Sequence, residues 1–504
     1  MKSWSLCFAG FLGASVLAAA CASAETPAPA ERQEPTRPAS ATADAAAASA
    51  PAPGDPLDEG PDTTEGLTNV SADLDLVLER GGLDGACARM KADPGSRRAR
   101  LLCGKHMFFD EGFSTVGVPA AIFDFMGSSF PDQLGLAFSR MGLIADPRSK
   151  KNRPIGATVG APLAGAETVA FGCATCHFGR LPDGRYAVGA PNLDYDYGAH
   201  ILNLMITPQS VSPTWNASAH HPDALAATAA ARGKLGSDMG LKMRLMGALL
   251  PMLGSAGSAQ ALTPEHERQY ASWRPGTMDF LIAPLPLDDE VHTISKVLSL
   301  WGIPSAERER AAGMPHAMLG WTGGTRSLEV FLKGFVALGA GTAASYPPEV
   351  LAPMIEYLSS LRAPRALAAP PVERVEHGKR VFVEGGCRAC HDGPGGMGKR
   401  IFSFEEIGTD PAIAYFADRD RNGKACCGLD DVDLTHGIKA PRLLGVWAFG
   451  KFLHNGALDS LEQLLCLDPR AATRELAHGA QGHAFGCGLP ASDRRALIAY
   501  LKAH

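Results

Sequence analysis

Apolar residues recur at helical spacing in the body of the chain. One stripe follows the i, i+3, i+4, i+7, i+8 pattern of a helix face with Leu328, Phe331, Leu332, Phe335 and Val336. Thr325 and Ser327 precede this stripe and can cap the start of a helix. We interpret the stripe as core packing rather than as part of a cofactor site. Strand-like alternation is scarce, so the pattern predicts a mainly α-helical body with long loops.

The helical pattern is interrupted between residues 361 and 371, where Pro364, Pro370 and Pro371 stand among small residues. Similar apolar segments precede this break and the chain end, at 355–358 and 498–501. We therefore expect two helical domains, an N-terminal one at 67–365 and a C-terminal one at 372–504.

The first residues are typical of an export signal. Lys2 is followed by an apolar stretch from Leu6 to Ala20 and then by small residues. Cleavage after Ala24 is one interpretation; the other is that residues 1–21 form a lipoprotein signal and that Cys21 carries the lipid. A retained membrane anchor is disfavoured because the apolar stretch falls short of the about 20 residues that span a bilayer.

A long segment after the signal has no large apolar residue. Between Ala22 and Pro56 there is no Val, Ile, Leu, Met, Phe, Tyr or Trp. Such a composition cannot bury enough apolar surface to fold. We expect residues 22–66 to be a disordered Ala/Pro-rich tether to a periplasmic or outer-membrane-bound body.

Charge makes nucleic acid an unsuitable partner. The 504 residues include 47 Lys and Arg against 53 Asp and Glu, so the net charge is −6. This balance provides no basic surface for a polyanion. The 12 cysteines instead direct attention to redox chemistry.

Two pentapeptides have the Cys-x-x-Cys-His pattern of c-type haem attachment. They are Cys173-Ala174-Thr175-Cys176-His177 and Cys387-Arg388-Ala389-Cys390-His391. In this pattern two thiols form thioethers with the haem vinyl groups, and the adjacent imidazole binds the iron. We expect two covalent c-type haems, with His177 and His391 as their proximal ligands.

The second ligand of the C-terminal haem can be narrowed by elimination. No Met follows Met397, which is only six residues after His391. The downstream histidines are His436, His454, His478, His483 and His504. We predict bis-histidine ligation through His454, with His483 as the alternative ligand.

The second ligand of the N-terminal haem stays open. Several histidines and methionines follow His177, and the sixth position can also be empty. An open iron would bind oxygen or peroxide, whereas two strong ligands would restrict the haem to electron transfer. We therefore carry two hypotheses, an exported haem oxidoreductase and a non-catalytic carrier. Both require a periplasmic electron donor or acceptor.

Cysteines outside the two motifs are available for disulfides in an oxidising compartment. Cys87 with Cys103 and Cys466 with Cys487 are the pairs that we predict. A calcium loop is a further, weaker hypothesis. Oxygen-bearing residues alternate from Asp418 as in the first half of such a loop, but position twelve is Leu429 instead of Glu.

Further segments support a family resemblance; they are Leu143–Pro147, Pro154–Gly156, His177–Arg180, Gly189–Asn192, Lys439–Ala448, His454–Gly456 and Gly482–Gly486. With the attachment motifs, they make the chain resemble the dihaem c-type cytochromes. That family includes bacterial dihaem cytochrome c peroxidases and, closer to this chain, the rubber oxygenases. The resemblance covers about Leu101–His504.

This resemblance implies two all-α cytochrome c-like domains. It also implies His391 and His454 on the C-terminal iron and His177 on a reactive N-terminal iron. The peroxidase and oxygenase versions both stay open, because similarity of fold does not fix the chemistry.

Overall fold

The computed structural model describes residues 55, 57–59, 63–115, 117–163, 165–238, 240–242, 244–245, 262–279, 294–314, 316–339, 341–418, 420–426, 429–470 and 480–504. The predicted signal at 1–21, the lipidation candidate Cys21 and most of the predicted tether lie outside these residues. From Asp55 to His504 the chain forms one compact unit. Within the described ranges, no helix is both long and apolar enough to cross a bilayer.

The fold is mixed but mainly helical. The α-helices are α1 (Leu74–Val77), α2 (Ala86–Ala92), α3 (Arg97–Asp110), α4 (Ala120–Ser129), α5 (Cys173–His177), α6 (Tyr197–Gln209), α7 (Pro222–Ser237), α8 (Pro264–Ser272), α9 (Ala306–Ala311), α10 (Leu328–Leu338), α11 (Pro348–Ser360), α12 (Val372–Glu384), α13 (Phe404–Ile407), α14 (Leu461–Leu464) and α15 (Ala491–Lys502). Short 3₁₀ turns lie between them at Glu79–Gly81, Leu136–Met141, Ala217–Ala219, Ala343–Ser345, Cys387–Ala389, Pro394–Gly396, Pro411–Phe416 and Val446–Ala448.

Small antiparallel sheets accompany the helices. Their strands are β1 (Val70–Ser71), β2 (Val118–Pro119), β3 (Ala157–Val159), β4 (Thr168–Phe171), β5 (Phe178–Arg180), β6 (Tyr186–Val188), β7 (Thr277–Met278), β8 (Ser295–Lys296), β9 (Ile401–Phe402) and β10 (Ile438–Lys439). The strand orders are β1-β6-β5, β2-β4-β3, β7-β8 and β9-β10. The sequence did not predict these sheets, because strands of two to four residues are too short to show a period of two.

The predicted amphipathic helix is α10. It begins after Ser327, whose hydroxyl accepts a hydrogen bond from the Val330 amide at 3.2 Å. The prediction that the stripe forms a helix with a capping residue is therefore confirmed. Leu328, Leu332 and Val336 are buried.

The two segments with similar sequences belong to helices that cross an earlier helix in the same way. In the N-terminal half α11 crosses α3, and a Cβ at Gly104 would lie 2.6 Å from the Cβ of Tyr357. In the C-terminal half α15 crosses α12, and a Cβ at Gly378 would lie 2.7 Å from the Cβ of Tyr500. Each glycine therefore allows two helices to approach closely. In each half, one helix of the pair precedes the Cys-x-x-Cys-His motif in the sequence and the other follows it.

This close approach gives the first prediction. In Gly378→Ala the new methyl group would overlap the carbonyl oxygen of Ala496. We expect a loss of about 1–3 kcal/mol in the free energy of unfolding, because overpacking outweighs the better helix propensity of alanine. Denaturant unfolding of the full chain measures this loss.

Gly488→Ala is the matched control, since a Cβ at Gly488 meets no atom within 4 Å. Equal stability of the two variants would contradict the close crossing of α12 and α15.

The buried apolar residues form several clusters inside the one compact unit from Asp55 to His504, so the structure does not separate the two expected domains. Two large clusters consist mainly of residues from the N-terminal half, around Trp301 and Tyr357 in one and Phe123 and Tyr270 in the other. A third cluster, which includes Tyr500, consists mainly of residues from the C-terminal half. The halves nevertheless share contacts, because Trp301 stacks on Phe449 with ring centroids 6.1 Å apart.

The predicted tether, residues 22–66, is too long at its C-terminal end, because the packed body already includes Asp55 and Leu57. Leu57 is only 1% exposed and belongs to the C-terminal core. Asp55 accepts a hydrogen bond from the Tyr500 hydroxyl at 2.8 Å and pairs with Lys379 at 2.9 Å. The physical reason is that Leu57 is the first large apolar side chain after the Ala/Pro-rich segment, and its burial stabilises the packed chain.

Both predicted disulfides are confirmed. Cys87 is bonded to Cys103, and Cys466 is bonded to Cys487. The first joins α2 to α3, and the second joins two loops that precede α15. Such links stabilise a fold mainly by restricting the unfolded chain.

Candidate haem-binding sites

The N-terminal motif forms one helical turn at the wall of an apolar cavity. Strand β4 leads into α5, which holds Cys173, Cys176 and His177, and β5 follows directly. All three side chains line this cavity, and residues far along the chain, among them Leu298 and Leu332, line it as well. The motif therefore faces an apolar space that distant parts of the chain complete.

Backbone carbonyls of this turn are held by a later segment. The Gly189 amide donates to the His177 carbonyl at 2.8 Å, and the Asn192 amide donates to the Cys176 carbonyl at 2.8 Å. The Asn192 side chain also donates to the Thr175 carbonyl at 3.3 Å. These bonds fix the motif against β6 and the loop after it. The sequence contained this signal as Gly-Ala-Pro-Asn, but spacing alone did not reveal its role.

The cysteines of the two motifs differ from those in the disulfides. Cys173, Cys176, Cys387 and Cys390 are free. Burial raises the pKa of the Cys173 and Cys176 thiols to about 12. Burial also raises the pKa of Cys387 and Cys390. Each motif thus keeps two protonated thiols unpaired in a chain that pairs other cysteines, as thioether attachment requires.

Helix α10 contributes apolar side chains to the cavity wall. Leu328, Phe331, Leu332 and Phe335 line it, and Phe335 is 39% exposed. The interpretation of this stripe as core packing is confirmed for Leu328, Leu332 and Val336, which are buried in the core. The stripe also borders the cavity through Phe331 and Phe335, which the sequence did not predict.

His177 is the only histidine among the described residues that line the cavity. Burial lowers the pKa of His177 to about 4, so the imidazole is neutral. A hydrogen bond with the Leu298 backbone raises this pKa, but the effect of burial is larger. A neutral imidazole is a suitable metal ligand. Met278 also lines the cavity and offers a second possible ligand atom.

The C-terminal motif is a tighter turn. Cys387–Ala389 is a 3₁₀ turn, and the His391 amide donates to the Cys387 carbonyl at 3.1 Å. The His391 Nδ1 atom lies 2.6 Å from the Gly396 carbonyl oxygen. With the proton on Nδ1, this bond orients the ring so that Nε2 is the atom that would bind a metal, the usual arrangement for a metal-ligating histidine.

A second imidazole faces His391. The ring centroids of His391 and His483 are 6.5 Å apart, at an interplanar angle of 62°. Two opposed imidazoles on one metal have centroids roughly 6 Å apart, given metal–nitrogen bonds of about 2 Å. Nδ1 of His483 is buried without a partner among the described residues. Burial, with a contribution from His391, lowers the pKa of His483 to about 4.

The backbone at His483 has a positive φ of 48°. This conformation is unusual for a residue other than glycine and is often found at functional positions. The His483 amide donates to the Ile407 carbonyl at 2.9 Å, which holds the loop in place.

His454, the ligand that the sequence favoured, has different ring neighbours. It is buried, its ring centroid lies 6.3 Å from that of Trp321, and its Nδ1 lies 3.4 Å from the Thr409 hydroxyl. The structure thus brings His391 together with the alternative ligand, His483. Distance along the chain could not distinguish the two histidines, since both follow His391.

In the loop considered for calcium, the Asp418 carboxylate accepts hydrogen bonds from backbone amides of the same loop. The donors are the amides of Asn422 and Gly423, at 2.9 and 3.1 Å. Leu429 is buried at the position of the missing Glu. Among the described residues, no group of three or more His, Cys, Asp or Glu side chains is arranged to hold a metal ion.

No protein-family model and no curated protein sequence matches the chain. The fit of a c-type haem therefore depends on the residues themselves. At both motifs the residue types fit such a group, with free thiols, neutral imidazoles and, at the N-terminal motif, an apolar cavity beside them.

Proposed function

We propose that the chain is an exported c-type cytochrome oxidoreductase with two covalently attached haems. Cys173, Cys176 and His177 would hold the N-terminal haem. In the C-terminal half, Cys387, Cys390 and His391 would hold the second. The observation that carries this proposal is the combination of four free thiols in the motifs with the disulfides Cys87–Cys103 and Cys466–Cys487 formed elsewhere.

A haem iron exchanges single electrons and, where a coordination position is open, also reacts with oxygen or peroxide. The surroundings of the two Cys-x-x-Cys-His motifs differ. At the C-terminal motif, His391 and His483 would both bind the iron, which would suit electron storage or relay; the support is the distance of 6.5 Å between their ring centroids. At the N-terminal motif, His177 is accompanied by an apolar cavity without a second histidine among its described lining residues.

This asymmetry supports catalysis at the N-terminal site. Electrons from a periplasmic partner would enter through the C-terminal haem, and the N-terminal haem would activate peroxide or oxygen. Phe331 and Phe335 on α10 would exclude water from that side of the cavity and accept an apolar group. This arrangement is consistent with the proposed relationship to dihaem cytochrome c peroxidases and rubber oxygenases.

The alternative is a non-catalytic periplasmic electron carrier. It is favoured by one observation, the presence of Met278 on the cavity wall. A thioether ligand is common in electron-transfer cytochromes. If Met278 bound the N-terminal iron, both haems would lack an open position.

Export and tethering are part of the proposal. Residues 1–21 would direct the chain out of the cytoplasm, and Cys21 would carry a lipid. The Ala/Pro-rich segment would then separate the folded body, which begins by Asp55, from the membrane. A compartment outside the cytoplasm agrees with the two disulfides.

Electron paramagnetic resonance of the oxidised, haem-loaded protein tests the proposed asymmetry. We expect one low-spin signal per chain that added imidazole does not change. A second centre should respond to imidazole, because the N-terminal iron has a free position. Spin quantification per chain measures both.

Two low-spin signals that ignore imidazole would contradict the open site and support the carrier. Met278→Ala then identifies the cause. If Met278 is the ligand, this variant alone should convert one signal to an imidazole-responsive centre.

A further inference from the structure

Two cationic side chains face the same cavity as the N-terminal motif. Lys439 and Arg442 line it together with Cys173, Cys176 and His177. Lys439 is 3% exposed. The Arg442 guanidinium donates to two carbonyl oxygens, those of Ser299 at 2.8 Å and Trp301 at 2.9 Å.

Neither cation is balanced by an acidic side chain of the described residues. No carboxylate contributes to the pKa of Lys439 or Arg442. Burial lowers the pKa of Arg442 to about 10, and burial together with the Arg442 charge lowers that of Lys439. Burying an unpaired charge is costly, so two such residues on one wall indicate an anion that occupies the cavity.

Two other buried lysines, Lys105 and Lys296, have local partners. Lys105 pairs with Glu79 at 2.8 Å. The Lys296 ammonium group donates to the Lys451 carbonyl at 2.7 Å and lies 5.1 Å from the centroid of the Phe449 ring. Lys105 thus has a carboxylate partner, and Lys296 has a carbonyl partner away from the cavity. Lys439 and Arg442 differ from both because they line the cavity and no carboxylate contributes to their pKa. The carbonyl bonds of Arg442 position the guanidinium without neutralising its charge.

We propose that Lys439 and Arg442 bind the two propionate carboxylates of the N-terminal haem. This inference rests on the proposed function. Haem b and its c-type adducts carry two carboxylates, which matches the two unbalanced positive charges. A haem attached through Cys173 and Cys176 would also occupy the cavity that these cations line.

The segment that supplies the cations also contacts the loop after His391. The Gly398 amide donates to the Ala440 carbonyl at 3.0 Å, and the Leu443 amide donates to the Gly395 carbonyl at 2.8 Å. The charge of Lys439 also bears on His391. One segment, Lys439–Leu443, therefore holds the carboxylates of one haem and braces the proximal loop of the other.

Charge-removing variants test the proposal on the haem-loaded full chain. In Lys439→Met and Arg442→Leu we expect two haems per chain by pyridine haemochrome assay. The propionate-bending band in the resonance Raman spectrum should shift. The midpoint potential of the N-terminal haem should fall, because uncompensated carboxylates stabilise the oxidised iron.

Lys296→Met is the matched control. It removes a buried lysine from the same part of the fold, but Lys296 is not among the residues that line the cavity. We expect its propionate band to match that of the wild type. Arg442→Lys and Lys439→Arg keep the charge and should retain most of the wild-type potential. If a charge-removing variant fails to fold, the propionate band and the midpoint potential can still be measured in these two charge-conserving variants.

An unchanged propionate band in both charge-removing variants would overturn the proposal. So would an equal shift in Lys296→Met. If the band is unchanged but an added carboxylate such as acetate binds more weakly, the pair serves a diffusible anion and the proposal is also overturned. A wild-type chain without covalent haem would instead refute the proposed function itself.

Discussion

Replacing His483 with glycine should convert one haem of the loaded chain from low spin to high spin. The His483 ring is the imidazole whose centroid lies 6.5 Å from that of His391. Its removal leaves the C-terminal iron with one strong axial ligand and a weak or absent second one. Electron paramagnetic resonance should show the loss of a whole low-spin signal, while the pyridine haemochrome assay still gives two haems per chain.

His454→Gly is the matched control. It removes a buried histidine from the same half of the chain, one whose ring lies beside Trp321 and Thr409. We expect its low-spin signal to persist. The opposite result, with loss of the signal in His454→Gly and not in His483→Gly, would restore the ligand that the sequence favoured.

Added imidazole provides a second readout for the glycine variant. It can enter the space left by the His483 side chain and bind the C-terminal iron in its place. The low-spin signal should therefore return on titration with imidazole. Failure to recover would indicate that His483 supports the fold of this loop without binding iron.

The double variant Cys173→Ala, Cys176→Ala should contain one haem per chain instead of two. Thioether bonds to these thiols are the covalent link of the N-terminal haem in the proposed function. Without them, His177 alone would hold the cofactor too weakly to survive denaturing electrophoresis. Pyridine haemochrome quantification and intact mass should both show the loss of one haem.

Two controls accompany this result. Cys387→Ala with Cys390→Ala should likewise remove one haem, and it should be the one that gives the imidazole-insensitive low-spin signal. Replacing Cys466, which forms a disulfide, should reduce stability but leave both haems attached. A double variant at Cys173 and Cys176 that still carries two covalent haems would contradict the central proposal.

The local parts of the candidate sites could be predicted from the sequence. Attachment needs two thiols and an imidazole within one turn, so all three residues lie within five positions of each other. The predicted helix after Ser327 and both predicted disulfides are confirmed for related reasons. Helical periodicity is a local property of the sequence. The predicted disulfides are local as well, since their cysteines are 16 and 21 residues apart.

Two features that the sequence did not reveal have a common origin. The α10 stripe packs in the core as predicted, yet Phe331 and Phe335 also border a cavity. Periodicity reveals that a helix face is apolar without revealing whether protein or a ligand covers it. The tether was drawn through Gly66, yet Leu57 is buried against the C-terminal half. Composition alone could not show that one apolar side chain would dock there.

The sequence by itself determined the two Cys-x-x-Cys-His pentapeptides on which the proposed haem attachment depends, because the required thiols and imidazole are neighbours in the chain. Only the tertiary structure brought His483 to face His391 and placed Lys439 and Arg442 on the cavity wall of a motif more than 250 residues earlier in the chain. An axial ligand or a counter-charge acts through space, and its position depends on how loops and helices pack. Spacing along the chain therefore carries no information about it.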